Sequence, residues 1–450
     1  MGVPEVDTVV AGAGIAGLAA ALELQGRGRE VLVIDPADRP GGVMRTDHVA
    51  GFVIERGPNT AQVKAPMRRF LEARGLESAL IPARPASRIR HVFRGGRLVR
   101  VPVSPLGVVT TPLLSARAKL RLLAEPFVRR GNGRGESVAE FVSRRAGSEV
   151  VRGLVGPFLT GVYAGDESQL GAEAVFGRAV ELERRFGSLA LGGALSALGR
   201  RGERGLRGTW SGQHGFGPLA RQLTNQLTEP PALGSRVDRI TRDGDAWHLD
   251  IAAPTGDMAL RARGIVLAVP APVAAEVLRG VDLEVASALR GIAYAQVVSV
   301  ALGVDPKQAR ARIHGFGFLV PREEEMRLLG CLFMSQIFPG RAPEGSQLLQ
   351  CMLGGTRWPD AIAQPDEALL AVLRGDLERA LGYRGDPLVL GLSRWARAIP
   401  QPGVDHGARV RFARERLPGG LALAGSYVMG IGVADSLASG LSAGASLSRP

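Results

Sequence analysis

The sequence predicts an α/β fold (α+β over the whole chain), and three observations lead there. The first thirty-odd residues read strand, glycine turn, helix, strand. Between residue 100 and residue 207, apolar and arginine-rich stretches alternate at helical spacing. From 232 onward, apolar runs of strand length return, and the chain closes on glycine-rich turns and a last helix. At 450 residues the chain is too long for one simple core, so two or three domains are expected.

The opening element is a short apolar strand over 6–11. Gly12-Ala13-Gly14-Ile15-Ala16-Gly17 follows, then a run of helix formers beginning at Leu18, then a second buried strand over 30–35 that ends in Asp35. Segments 103–115 and 186–199 are apolar and lack charge, whereas 116–152 and 178–207 are rich in arginine; together they predict a mostly helical insertion. Residues 200–205, RRGERG, predict a surface loop. Strand signals resume at 232 and continue through AWHLDIA and GIVLAVPAP. Segments 292–303, 315–321, 328–338 and 347–354 predict strands of a second sheet. Helices are predicted over 366–381 and 433–447. No internal repeat is visible.

Composition narrows the partners. The net charge is +13, and Lys64, Lys119 and Lys307 are the only lysines among 56 basic residues. Such a charge attracts anions: anionic lipid, a carboxylated substrate or nucleic acid. Nucleic acid is disfavoured, because the chain lacks a zinc finger, an RNP-type motif and aromatic–basic interleaving. Two cysteines, Cys331 and Cys351, make no disulfide framework, so a reducing cytoplasm is the expected location. Nothing at the N-terminus suggests secretion, and Val6 stands where myristoylation needs Ser or Thr. The longest uncharged run, 418–434, is broken by five glycines and reads as strand, loop and helix start rather than a membrane span. The six histidines are scattered, so no metal site is indicated. Gly440-Leu441-Ser442-Ala443-Gly444 matches a nucleophile-elbow pattern, but it falls inside a helix and not at a strand–helix turn.

The glycine turn carries the chemistry. Gly12 permits a tight turn, Gly14 leaves room for a pyrophosphate to approach the backbone, and Gly17 lets helix and strand pack closely. The helix N-terminus offers free N–H groups and positive dipole to phosphates, and Asp35 can hydrogen-bond a ribose hydroxyl. The following PADRPGGVMR places Gly41-Gly42 with Arg45 close behind, a loop that a simple NAD site does not need. At the far end, LALAGS followed by Gly430-Ile431-Gly432-Val433 supplies a second helix N-terminus. Two such ends suit a long dinucleotide, FAD, which accepts a hydride itself while the protein supplies position and electrostatics.

Nearly end to end, the sequence resembles the oxygen-dependent, FAD-containing protoporphyrinogen/coproporphyrinogen oxidases of the flavin amine oxidase superfamily. The matching segments include EVLVIDPADRPGG, ERGPNT, SRIRHVFRGGRLVRVP, PFLTGVYAGDESQL, LERRFGSLALGGAL, GFGFLVPREE, LLGCLFMSQIFPGRAPEG, CMLGGTR and LAGSYVMGIGVADSLASG. TGVYAGD together with ERRFGSL is the more specific part, because general amine oxidases and phytoene desaturases share only the two dinucleotide ends. The resemblance implies a Rossmann-like FAD-binding domain over 1–82, 204–268 and 406–450. It implies a mixed-sheet substrate domain over 83–103 and 269–405, and a helical membrane-binding insertion over 104–203 that lies on the bilayer without crossing it. Apolar 103–115 and the arginines of 116–134 would suit that role.

The resemblance also implies site residues. FAD would be held noncovalently, one per chain, by Gly12, Ala13, Gly14, Ile15, Ala16, Gly17, Asp35, Pro36, Arg39, Gly41, Gly42 and Val43. Further along, Gly57, Pro58, Asn59, Thr60, Val237, Trp395, Gly425, Ile431, Gly432 and Val433 would complete the set. Arg90 would pair with a substrate propionate, as a planar guanidinium suits a carboxylate. Phe316, Leu319, Leu332 and Met352 would sandwich the tetrapyrrole beside a turn containing Gly161 and Gly165. Met352 stands where many relatives have phenylalanine, and Asn59 where some have a second arginine. No protein base is identified. Arg88, Arg94 and Arg97 could widen a cationic rim for a four-propionate ring, or simply face solvent. The implied partners are a tetrapyrrole, O2, the lipid surface at the inner face of the cell membrane, a ferrochelatase and a second copy of the chain. Two other readings stand beside this one: an amine oxidase or desaturase acting on another apolar substrate, and a non-catalytic dinucleotide-binding scaffold.

Overall fold

A computed structural model describes residues 3–131, 134–199 and 208–447; the loop expected over 200–205 lies outside them. The predicted opening unit is present as strand Glu5–Ala11, helix Ile15–Gln25 and strand Val31–Asp35. The helix is apolar on nearly every side and almost wholly buried, because it packs between the sheet and the C-terminal helix Val433–Leu447. Glycine makes that contact possible: a Cβ on Gly440 would lie 2.0 Å from the carbonyl oxygen of Ala16.

Two seven-stranded sheets organise the chain. In the first, Glu5–Ala11 runs parallel to both Val31–Asp35 and Met258–Leu267. The other edge of Met258–Leu267 pairs antiparallel with Ala246–Ala252 at one end and parallel with Leu421–Leu423 at the other. Parallel order therefore gathers segments from both ends and the middle of the chain, with the glycine turns at the carboxyl ends of the strands, where α/β sheets bind ligands.

The second sheet is mixed. The hairpin Arg90–Arg94/Arg97–Arg100 joins Gly317–Leu319 in parallel, and Gly330–Phe333, Gln347–Gly354, Tyr294–Val304 and Leu388–Pro400 continue antiparallel. One face buries Val298, Val300, Leu349, Cys351 and Phe333 against Leu369, Leu373 and Leu377 of helix Asp366–Leu381, the helix expected over those residues. The other face turns toward the first unit, where Phe52 and Ile54 pack on Ala301, Leu348 and Leu390. A Cβ on Gly303 would come within 2.8 Å of the Phe52 ring.

Among the described residues, the expected helical insertion comprises seven α-helices between Pro105 and Gly199, interrupted by short 3-10 and π turns. Its core carries a buried ion network in which Arg145 meets Glu125 and Glu183. One expectation is corrected, and two elements fall outside the predicted set. The strand expected over 328–338 stops at Phe333, and Met334–Ile337 is a helical turn, because Ser335 Oγ accepts the Leu348 N–H that a longer strand would have claimed. The strand Leu388–Pro400 and helix His406–Arg416 carry too much arginine to stand out as buried elements. Cys331 and Cys351 are opposed on neighbouring strands as free, buried thiols.

Candidate functional site

The glycine turn forms a cradle made of backbone. Gly12 adopts φ +110°, and a Cβ there would lie 2.5 Å from Ala268 O; one on Gly17 would lie 1.7 Å from Gly12 O. Gly14 differs. A Cβ there would meet nothing within 4 Å, so its side faces open space at the start of a helix whose first N–H groups have no intrahelical acceptor. Asp35 fixes this turn, accepting N–H bonds from Ala13 (2.6 Å) and Ala37 (2.8 Å). Each carboxylate oxygen keeps a second lone pair for a ribose hydroxyl. Pro36 is exposed at this strand end, and Val237 is the second residue of strand Arg236–Asp243, two residues after Ser235, whose N–H reaches Asp35 O.

The 39–44 loop closes over the cradle. Gly41 N donates to Ala13 O, and Gly42 approaches so closely that its Cβ would lie 3.2 Å from Gly14 Cα. Arg39 holds the loop's shape, donating to the carbonyls of Pro40, Gly42 and Met44. Segment 57–60 stacks next, with the Cα of Gly57 against Val43 O. The Asn59 side chain is buried, and its Oδ1 has no partner among the described residues. Trp395 Nε1 donates to Arg56 O at 2.8 Å, tying the second sheet to this segment. From the C-terminal side, Gly425 precedes a short helical turn, and Ile431 and Gly432 lead into the helix starting at Val433, whose first turn carries Asp435 paired with Lys64. Backbone donors at two helix starts, an open side at Gly14 and an unpaired buried acceptor at Asn59 fit an extended dinucleotide.

The second sheet supplies a wall. Paired residues share a face, so the register places Arg90, Gly317, Leu332, Gln350, Ala301 and Gly391 in one row across six strands. The next row is Val92, Leu319, Gly330, Met352, Ser299 and Ser393. Leu319, Leu332 and Met352 are only half-buried although their chain neighbours are sealed. Phe316 flanks them, and the Arg90 guanidinium lies 4.8 Å from its ring centroid. Among the described residues Arg90 makes no ion pair, and desolvation alone lowers its pKa. Gly161 presses its helix onto this wall, since a Cβ would lie 2.2 Å from Leu319 Cδ2, and Gly165 abuts the Gln401 side chain.

Three residues escaped the sequence reading. Arg56, within ERGPNT, lies flat on Gly391, where a Cβ would fall 1.6 Å from its Nη1, and bonds Asp47 at 2.7 Å. Glu55 is buried, accepting from Phe216 N and Thr46 Oγ; burial pushes its pKa up to about 7 despite the nearby Arg341 charge. Arg341, from the second sheet's side, is itself buried and donates to Ser211 Oγ and Gly212 O. A charged pair flanking an apolar run, as in FVIERG, was the available signal. Arg94 shares the Arg90 face but lies beyond a seal of Val92, Val99 and Leu113, so it and Arg97 do not rim the wall.

A dinucleotide cradle joined to a mixed sheet with an apolar wall, Asp47-paired Arg56 at one end and Arg90 at the other, fits a flavoprotein of the oxidoreductase class. The chain belongs to the flavin containing amine oxidoreductase family, whose pattern matches residues 15–447. Its cofactor is FAD, the flavin form for which a dinucleotide cradle is built. The chain is 32% identical to the chloroplastic protoporphyrinogen oxidase of Nicotiana tabacum over 95% of its own length and 82% of that protein. It is 26% identical to the coproporphyrinogen III oxidase of Bacillus subtilis (97% and 96%). A solved structure from Exiguobacterium sp. 255-15, provisionally named a protoporphyrinogen oxidase, superposes with a TM-score of 0.84 at 24% identity, covering 99% of both chains. Among the described residues no helix is long and apolar enough to cross a membrane.

Proposed function

We propose that this protein is an FAD-dependent porphyrinogen oxidase that acts on protoporphyrinogen IX in preference to coproporphyrinogen III. The carrying observation is the wall: Leu319, Leu332, Met352 and Phe316 half-exposed on one face, with Arg90 as the unpaired cation at its end. A flat macrocycle matches an apolar sheet face, and one guanidinium suits a substrate whose propionates lie on one edge. Four propionates would place carboxylates against apolar surface, where unpaired charge is costly. Names of relatives on both sides of that choice support the broader class.

Bound FAD supplies a two-electron acceptor. The chain's own residues do the rest. Arg90 captures a propionate, the leucines and Met352 exclude water from one face, and Gly161 and Gly165 let their helix and turn close against Leu319 and Gln401 at the ring edge. Trp395 and segment 57–60 bring the cofactor side against the wall. Six electrons separate porphyrinogen from porphyrin, so with oxygen as two-electron acceptor three O2 are consumed and three H2O2 formed per turnover. The FAD is held noncovalently, the substrate wall and helical insertion act as separate regions, and the insertion rests on the cytoplasmic face of the membrane through exposed Val103, Leu106 and Phe127.

Assay of both porphyrinogens under one set of aerobic conditions tests the choice. The expected outcome is higher kcat/KM on protoporphyrinogen IX with three O2 per porphyrin. A tenfold advantage for coproporphyrinogen III would overturn the wall argument, and bound FAD that neither porphyrinogen reduces would overturn the class.

A further inference from the structure

The 90–100 hairpin ends in a second basic feature outside the substrate wall. Arg94 and Arg97 are directly opposed across the hairpin, and with Gly95, Val99 and Pro112 they line a recess of about 310 Å³. The seal of Val92, Val99 and Leu113 separates it from Arg90. At the tip, Gly95 and Gly96 both have positive φ, and a Cβ on either would meet nothing within 4 Å, so backbone leaves the recess open. Arg94 is held in place, donating to Leu113 O at 3.3 Å, while the Arg97 side chain makes no ion pair or hydrogen bond among the described residues. Two carboxylates flank it: Glu324 accepts from Gly95 N at the rim, and Glu149, bound to Ser115 N and Oγ, also feels the Arg94 charge, which leaves the Arg97 side chain as the cation with no carboxylate partner among the described residues.

The chain on either side of Pro112 presents apolar residues to solvent. Val103 is 72% exposed and Leu106 73%, and Val109 is exposed too; after the turn Leu120 and Leu123 are exposed, and Phe127 is 90% exposed. Exposed Arg117, Arg129 and Arg130 are interspersed with them. Apolar side chains that no part of the fold covers, beside an opposed pair of arginines in a recess, match the two halves of a lipid.

We propose that the Arg94–Arg97 recess binds the phosphate headgroup of an anionic phospholipid while Leu106 and its neighbours enter the acyl boundary. This rests on the membrane-surface reading of the insertion and adds a headgroup site to it. Arginine suits the phosphate because its fork donates two parallel N–H bonds. Seating the lipid here would orient the second sheet edge-on to the bilayer.

The FAD-loaded protein is sedimented with vesicles of phosphatidylcholine, alone and mixed with phosphatidylglycerol. Wild type is expected on both, with preference for the anionic vesicles. Arg97→Gln should weaken binding to the anionic vesicles about fivefold and leave neutral-vesicle binding and activity in detergent unchanged. Arg263→Gln, the same charge change on the far side of the first sheet, should leave both as in wild type. Equal losses in the two variants would mean general charge and overturn the site. If Leu106→Ser abolishes vesicle binding while Arg97→Gln keeps the full anionic preference, the membrane reading stands and the headgroup site falls. If wild type binds neither vesicle, both fall. Protection of Arg97 by free glycerol phosphate to the same extent as by vesicles would also overturn the lipid assignment.

Discussion

In the first unit the groups that face the ligand are backbone atoms: the helix-start N–H groups after Gly14, the carbonyl-braced 39–44 loop, and the Gly57 contact on Val43. On the second sheet they are side chains, drawn from strands between Arg90 and Trp395 and aligned only by register. The difference bears on tolerance. A backbone cradle is set by a few glycines in one short segment and fails when any of them gains a Cβ. A wall of apolar side chains keeps its nature if one member is exchanged for another of similar volume. In the proposed function the charged residue at its end, Arg90, is the member that an apolar exchange cannot replace.

The sharpest way to break that contrast lies within the cradle. Gly14→Val should fold, because its Cβ meets nothing within 4 Å, yet lose bound FAD, raising Kd about a hundredfold or more, some 2.7 kcal/mol. Gly17→Val should fail to fold instead, its Cβ driven into Gly12 O. Flavin absorbance and thermal melts of the two variants separate the roles; a Gly14→Val protein with full flavin would show that the cradle does not hold the pyrophosphate.

The seam between the two regions offers the next largest effect. Glu55 ordinarily titrates near 4.5 and is held near 7 in the fold. Its folded pKa is raised, so the native state binds a proton that the unfolded chain has released between those values. Stability is therefore fully present below about pH 4.5 and declines as pH rises toward 7, by about 3 kcal/mol at most. Glu55→Gln keeps an acceptor for Phe216 N–H and should flatten this slope in denaturant melts across pH 5–7. An unchanged slope would place the titrating group elsewhere.

The smallest effect is expected at the wall. Arg90→Ala should lower kcat/KM by about tenfold to a hundredfold through lost capture of a charged propionate, with Arg90→Lys recovering only part. FAD content and melting should stay as in wild type, because the Arg90 side chain makes no ion pair or hydrogen bond among the described residues and its guanidinium lies over the Phe316 ring. Unchanged kcat/KM in Arg90→Ala would mean that the anchor lies elsewhere.

The amino-acid sequence by itself determined the cradle. Gly12, Gly14, Gly17, Asp35 and the Gly41-Gly42 loop lie within about thirty residues, and their conformations are local necessities that residue type and spacing reveal. It also determined the helices Asp366–Leu381 and Val433–Leu447, the first of which buries Leu369, Leu373, Leu377 and Leu381 at helical spacing. Only the tertiary structure decided which side chains share the wall. A strand's two faces are equivalent until register and a partner layer choose between them. The pairing 317–332–350 turned Leu332 and Met352 inward to the first unit and sent Cys331 and Cys351 to the opposite core. The same physics hid Leu388–Pro400, whose arginines read as solvent until the fold laid Trp395 on Arg56. It also hid Glu55, an ordinary carboxylate in the sequence, buried only because Phe216 and Arg341 arrive from 160 or more residues away.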